Sequence, residues 1–79
     1  MSPTIFRYKS FRFFFFSREE TRIHVHVSCP NGEAKFWMEP VVALANYSGL
    51  SAVHLRELQG IVEERKSEIA KAWRSHFKT

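Results

Sequence analysis

Residues Phe11 to Phe16 read Phe-Arg-Phe-Phe-Phe-Phe, and no other stretch limits the fold so tightly. As a strand, the segment splits by period two into Phe11, Phe13 and Phe15 on one face and Arg12, Phe14 and Phe16 on the other. An edge strand with one wet face has no use for five phenylalanines. The run therefore predicts an interior strand covered on both faces.

The chain has 79 residues, enough for one domain spanning 1–79. A chain of this length buries only about 60–65% of the surface its unfolded form exposes, so a homo-oligomer or a small partner protein is expected. Hydrophobic residues at 44% with 25% charged exclude a disordered tail. The single Cys29 excludes an internal disulfide. No apolar run approaches the roughly 20 residues of a membrane span, and the opening MSPTIFRYKS lacks the apolar stretch of a signal peptide. No membrane association and a reducing cytoplasm are the expectations. Twelve Lys and Arg against eight acidic residues, all Glu, give +4. Cut after Pro40, each half holds six basic and four acidic residues, so any basic patch must be assembled by folding.

The front of the chain reads as strands. Thr4–Tyr8 follows Pro3, and Lys9–Ser10 makes a tight turn although neither residue favours positive φ. After Phe11–Phe16, Ser17–Thr21 is a polar loop. Arg22–Ser28 alternates, with Ile23, Val25 and Val27 opposed to Arg22, His24, His26 and Ser28. Pro30-Asn31-Gly32 signals a hairpin. With Asn31-Gly32 as its loop, Pro30 faces Glu33, Ser28 faces Lys35, His26 faces Trp37 and His24 faces Glu39 in the next strand, Glu33–Met38. Glu39-Pro40 interrupts. Val41–Tyr47 fits a strand or a short helix, and its proline and β-branched pair favour a strand.

Ser51 is the expected N-cap of a helix reaching Phe77. Leu55, Leu58, Val62, Ile69, Trp73 and Phe77 recur at spacings of three, four and seven and form its buried stripe. Gly60 suggests a close contact or a bend. A helix this long spans about 40 Å, so its far end calls for a partner or a kink. The expected fold is α+β: an antiparallel sheet of four or five strands packed against a long C-terminal helix, strands within 1–47 and helix within about 51–77.

The opening P-T-I-F-R, the F-F-F-S-x-E-E run, the R-x-H-V-H-V strand, G-E-A-K-F-W-x-E-P and the tail L-x-x-I-V-E-E…A-W-x-x-H-F resemble a small bacterial family of unknown function, DUF4160. The resemblance covers nearly the whole chain. It departs at Tyr8-Lys9-Ser10, where relatives commonly carry glycine, and in lacking a proline before His-x-His. The resemblance implies a free-standing small protein, often encoded beside a second short protein in an arrangement like a toxin–antitoxin pair. It implies no chemistry.

The residues themselves offer one constellation. His24 and His26 project from one face of their strand, with Arg22 beside them and Glu33, Lys35 and Trp37 across the hairpin. Two imidazoles and a cation are the minimum for metal-independent RNA cleavage: one takes the 2′-hydroxyl proton, one protonates the leaving oxygen, and a cation steadies the phosphorane. Arg22, Lys35, Trp37 and Arg12 are candidates for phosphate contact and base stacking on RNA. The bland alternative is a wet sheet face with no ligand. His-x-His can share a metal, but a site needs a third ligand from Glu39, His54 or His76, and no metal or cofactor is expected. Phe14, Phe16, Trp73 and Phe77 are candidates for a protein interface, since contiguous exposed aromatic area marks a partner site. Two functions follow: an interaction module binding a small protein or itself, and a nucleic-acid-binding or RNA-cleaving toxin. Geometry separates them, because catalysis needs both imidazoles exposed in a concave site.

Overall fold

The structure is a computed structural model that describes residues 4–16 and 22–77. The expected loop at 17–21 lies outside the described residues. Five strands, β1 (Thr4–Tyr8), β2 (Phe11–Phe14), β3 (His24–Cys29), β4 (Gly32–Trp37) and β5 (Ala43–Ser48), precede two helices, α1 (Ala52–Glu64) and α2 (Lys66–Phe77). The sheet is antiparallel throughout, and its spatial order β1-β2-β3-β4-β5 repeats the chain order. The fold is α+β, and the ambiguous segment after Pro40 is a strand.

Alternation decides which side of the sheet is dry. Phe11, Phe13 and Phe15, with Val25, Val27, Ala34, Phe36 and Met38, meet Leu58 and Val62 of α1 and Ile69 and Trp73 of α2 in one core. Complete burial of one such side chain contributes about 1.5–3 kcal/mol. Phe6 stacks on Phe13 with ring centroids 4.5 Å apart, extending the core beneath β1. Phe11–Phe14 of the run form an interior strand, as the composition predicts, while Phe15 and Phe16 lie past its end. Its second face is not covered in the way expected: no described element lies over it. Phe14 is shielded by neighbours on its own face, and Phe16 stays 46% exposed.

The single long helix is two. Arg65, at φ −106° and ψ 24°, separates them. A straight helix of about 40 Å would overhang a body whose longest dimension is 34 Å. The bend keeps both apolar pairs on the sheet. Hydrogen bonds still run across it, from Arg65 N–H to Ile61 O and from Ile69 N–H to Arg65 O, and the Arg65 guanidinium lies 4.3 Å from the Phe6 ring centroid. Gly60 marks neither the bend, since it lies within α1, nor a close contact, since a Cβ there would meet nothing within 4 Å. Ser51 is the N-cap, its Oγ accepting from His54 N–H at 3.2 Å.

The β3–β4 register differs from the expected one by two positions in the pairing. Cys29 pairs with Gly32, Ser28 with Glu33, His26 with Lys35 and His24 with Trp37. The loop is Pro30-Asn31, and neither residue takes positive φ. Proline presets the first turn position. Gly32 serves a different need. A Cβ there would lie 2.2 Å from Ser48 O, and one at Gly49, where φ is +73°, would lie 2.3 Å from Asn31 O. The two glycines let the end of β5 close on the start of β4. Because the slip is even, every side chain keeps its face.

At the other end, Lys9 does adopt positive φ, 54°. Its Nζ reaches Glu57 Oε2 of α1 at 2.6 Å, and the same oxygen accepts from Tyr8 Oη at 2.7 Å. That contact ties the β1–β2 turn to the helix layer. The Lys9 hydrogen bond, then that of Tyr8, holds the Glu57 carboxyl below its usual pKa range. Glu57 in turn raises both Lys9 and Tyr8.

Candidate functional site

Residues paired across antiparallel strands share a face, so the register draws the surface opposite the helices row by row. One row crosses all five strands: Arg7, Arg12, Ser28, Glu33, Ser48. The next is Thr4, Phe14, His26, Lys35, Asn46. A third, shorter row holds His24, Trp37 and Ala43. Both helices pack on the opposite side, and Trp73 of α2 reaches round the end of the sheet to His24. Among the described residues, the face is thus a platform in which aromatic rings alternate with cations.

The cations lie on the rings. Arg22 sits 4.1 Å and Lys35 4.4 Å from the Trp37 centroid, and Arg12 sits 4.5 Å from that of Phe14. Each such contact is worth about 0.5–1 kcal/mol near water. Arg12, paired with Arg7, also donates from Nε to Thr4 Oγ1 at 2.6 Å. Arg22 donates from Nε to Glu39 O at 3.1 Å. Phe14, Phe16 and His26 form a second cluster: Phe14 stacks on His26 at 5.5 Å, and Phe16 meets His26 edge-on at 4.4 Å. Between this cluster and β5 is a depression of about 180 Å³, bounded by Phe14, Phe16, His26, Lys35, Asn46 and Tyr47.

The two histidines come together but are unlike. Their ring centroids are 5.0 Å apart. His26 is half-buried within the platform. His24 is 0% exposed, against the expectation of two exposed imidazoles. It lies at the end of the sheet between Trp37 and Trp73, 5.6 and 5.2 Å away. Its Nδ1 is 2.7 Å from Arg22 O, and since a carbonyl only accepts, Nδ1 carries the proton. His24 is packed as a core residue.

The candidates therefore separate. Arg12, Arg22, Lys35, Trp37, Phe14, Phe16 and His26 share the open face. Trp73 belongs to the core and offers no interface surface. Phe77 is half-buried beside it, with ring centroids 4.3 Å apart. Among the described residues, no three His, Cys, Asp or Glu side chains gather as a metal site would require. No described helix is long and apolar enough to cross a membrane. Sequence reasoning missed Arg7, which joins the platform through its pairing with Arg12, and Asn46, Tyr47 and Ser48, which border the depression. The alternation of β1 carried the first signal. The others were hidden by the strand-or-helix ambiguity of 41–47.

A small meander sheet with helices on one face and a cation-topped aromatic platform on the other is the class of protein defined here. The family described as Domain of unknown function (DUF4160) matches residues 10–74, and the chain belongs to it. Comparison with curated proteins and with solved structures gave no match.

Proposed function

We propose that the chain is an interaction module that docks through its open sheet face onto an acidic, partly apolar protein surface, as one half of a toxin–antitoxin-like pair. The observation that carries this is the platform itself: Arg7, Arg12, Arg22 and Lys35 surround Phe14, Phe16 and Trp37 on a face that no described element covers. Aromatic and Arg side chains dominate interface cores, and charge complementarity selects the partner. The arrangement that the family resemblance implies, with a second short protein encoded alongside, says where to seek the partner. The test is co-expression with the neighbouring short protein, followed by affinity measurement. Lys35→Glu combined with Arg12→Glu should weaken the complex by at least about tenfold, or 1.4 kcal/mol, while the thermal melt holds. A complex indifferent to that reversal, or no complex at all, overturns the reading.

A single strand of RNA is the second reading, favoured by Trp37 with cations on both flanks. Bases stack on such rings while Lys and Arg meet phosphate. In that case Lys35→Ala and Arg22→Ala weaken binding and flatten its salt dependence. Cleavage is less well supported than binding, because His24 is sealed between two tryptophans. Incubation with a mixed single-stranded RNA pool from pH 5 to 8 should leave the RNA intact. Cleavage abolished by His26→Ala would reverse that ordering.

A further inference from the structure

The two edges of the sheet are not alike. At one edge, β1 carries Arg7 and runs into Lys9, and its pairing with β2 is broken by an irregularity between Thr4 and Phe6. Charge and bulge are the usual guards against edge-to-edge association. At the other edge, the ten residues from Val41 to Leu50 contain no charged residue, in a chain that is 25% charged. Five large hydrophobic residues are exposed among the described residues, and three of them lie here: Val41 at 64%, Leu44 at 37% and Tyr47 at 53%. The one guard β5 has is the register shift opposite Lys35 and Phe36, which falls at Ala45 and leaves Ala43–Leu44 and Asn46–Ser48 on either side.

We infer that β5 is a dimerisation edge and that its occupant is β5 of a second copy, paired antiparallel. Self-pairing suits an uncharged strand, because a two-fold contact sets the strand against its own copy, so any charge it carried would be doubled at the seam with no opposite charge on the strand to meet it. The same operation on β1 would bring Arg7 and Lys9 toward their duplicates. Main-chain hydrogen bonds supply the attraction, and the exposed Leu44 and Tyr47 side chains supply contact area. An antiparallel edge pairing places the two-fold axis perpendicular to the sheet. Both helix layers then lie on one side, and the two open faces join into one ten-stranded platform. This pairing rests on the edge alone and is independent of what the open face binds.

Light scattering across a concentration series tests it on the whole chain. The mass should rise toward twice the monomer value. Tyr47→Lys, which installs a guard of the kind β1 already has, should shift the midpoint at least tenfold upward in concentration. Val53→Lys, which replaces an apolar residue on α1 that is at least as exposed, should leave the midpoint in place. Hydrogen exchange of the unaltered chain at two concentrations gives a second reading that needs no variant: β5 amides should gain protection with concentration while β1 amides do not. A mass that stays monomeric, equal responses to Tyr47→Lys and Val53→Lys, or β5 exchange indifferent to concentration would each overturn the inference.

Discussion

The sheet has two faces built from the same five strands, and they obey different rules. Toward the helices, Phe13, Val25, Val27 and Phe36 are sealed from water, and their worth lies in contact and volume. Away from the helices, the same strands present Arg12, Lys35, Trp37 and His26, whose worth lies in what they can meet. Phe13 and Phe14 are adjacent in the chain and fall on opposite sides of this division. Folding stability resides in the first face and the proposed recognition in the second, so damage to each should show in a different measurement.

The sharpest break would come from the covered face. Phe36→Ala should cost about 3–5 kcal/mol and Leu58→Ala about 2–5 kcal/mol in denaturant melts, because each removes a wholly buried side chain. A loss below about 0.5 kcal/mol from either would mean that the helices do not rest on the sheet. Next is the junction of β4 with the end of β5. Gly32→Ala should cost about 1–3 kcal/mol, as overpacking does, because the new methyl meets the Ser48 carbonyl. Stability unchanged by that substitution would place β5 farther from β4 than its register implies.

Smaller effects should appear only at the extremes of pH. Glu57 has its pKa lowered in the folded chain, so its contribution is complete above the ordinary carboxylate range, about 4.3. It is lost as pH falls through the lower folded value. Lys9 and Tyr8 are raised by Glu57, so their contributions are complete below about pH 10 and vanish as pH rises through the folded values. Glu57→Gln should therefore be less stable than the unaltered chain at neutral pH and converge with it in strong acid. A gap that persists unchanged in acid would detach the cluster from this linkage. The smallest change belongs to the open face: Lys35→Ala should move stability by no more than about 1 kcal/mol. A loss comparable with that of Phe36→Ala would erase the distinction between the faces.

The covered face was readable from alternation because burial imposes a period. Strand period two and the helix stripe of Leu58, Val62, Ile69 and Trp73 both report contact with one core. The open face was readable only as the complement of that pattern. Alternation placed His24 and His26 on the same side, but it could not show that the sheet ends beside His24, where Trp73 comes round to cover it. Asn31-Gly32 misled for a related reason. Its glycine answers the backbone of β5, a partner distant in sequence, although it looks like a turn residue. The helix break at Arg65 follows from the size of the body that the helix must cover, which no local pattern records.

Because strand order follows chain order, every strand can pair with one already made. The cover for the sheet comes last. A ribosome that has released residues 1–50 has produced all five strands, with Phe11, Phe13, Phe15, Val25, Val27 and Phe36 sharing a side and neither helix yet available to shield them. The final third of the chain therefore acts as an internal solubility factor during synthesis. Premature stops before Ala52 should yield insoluble product.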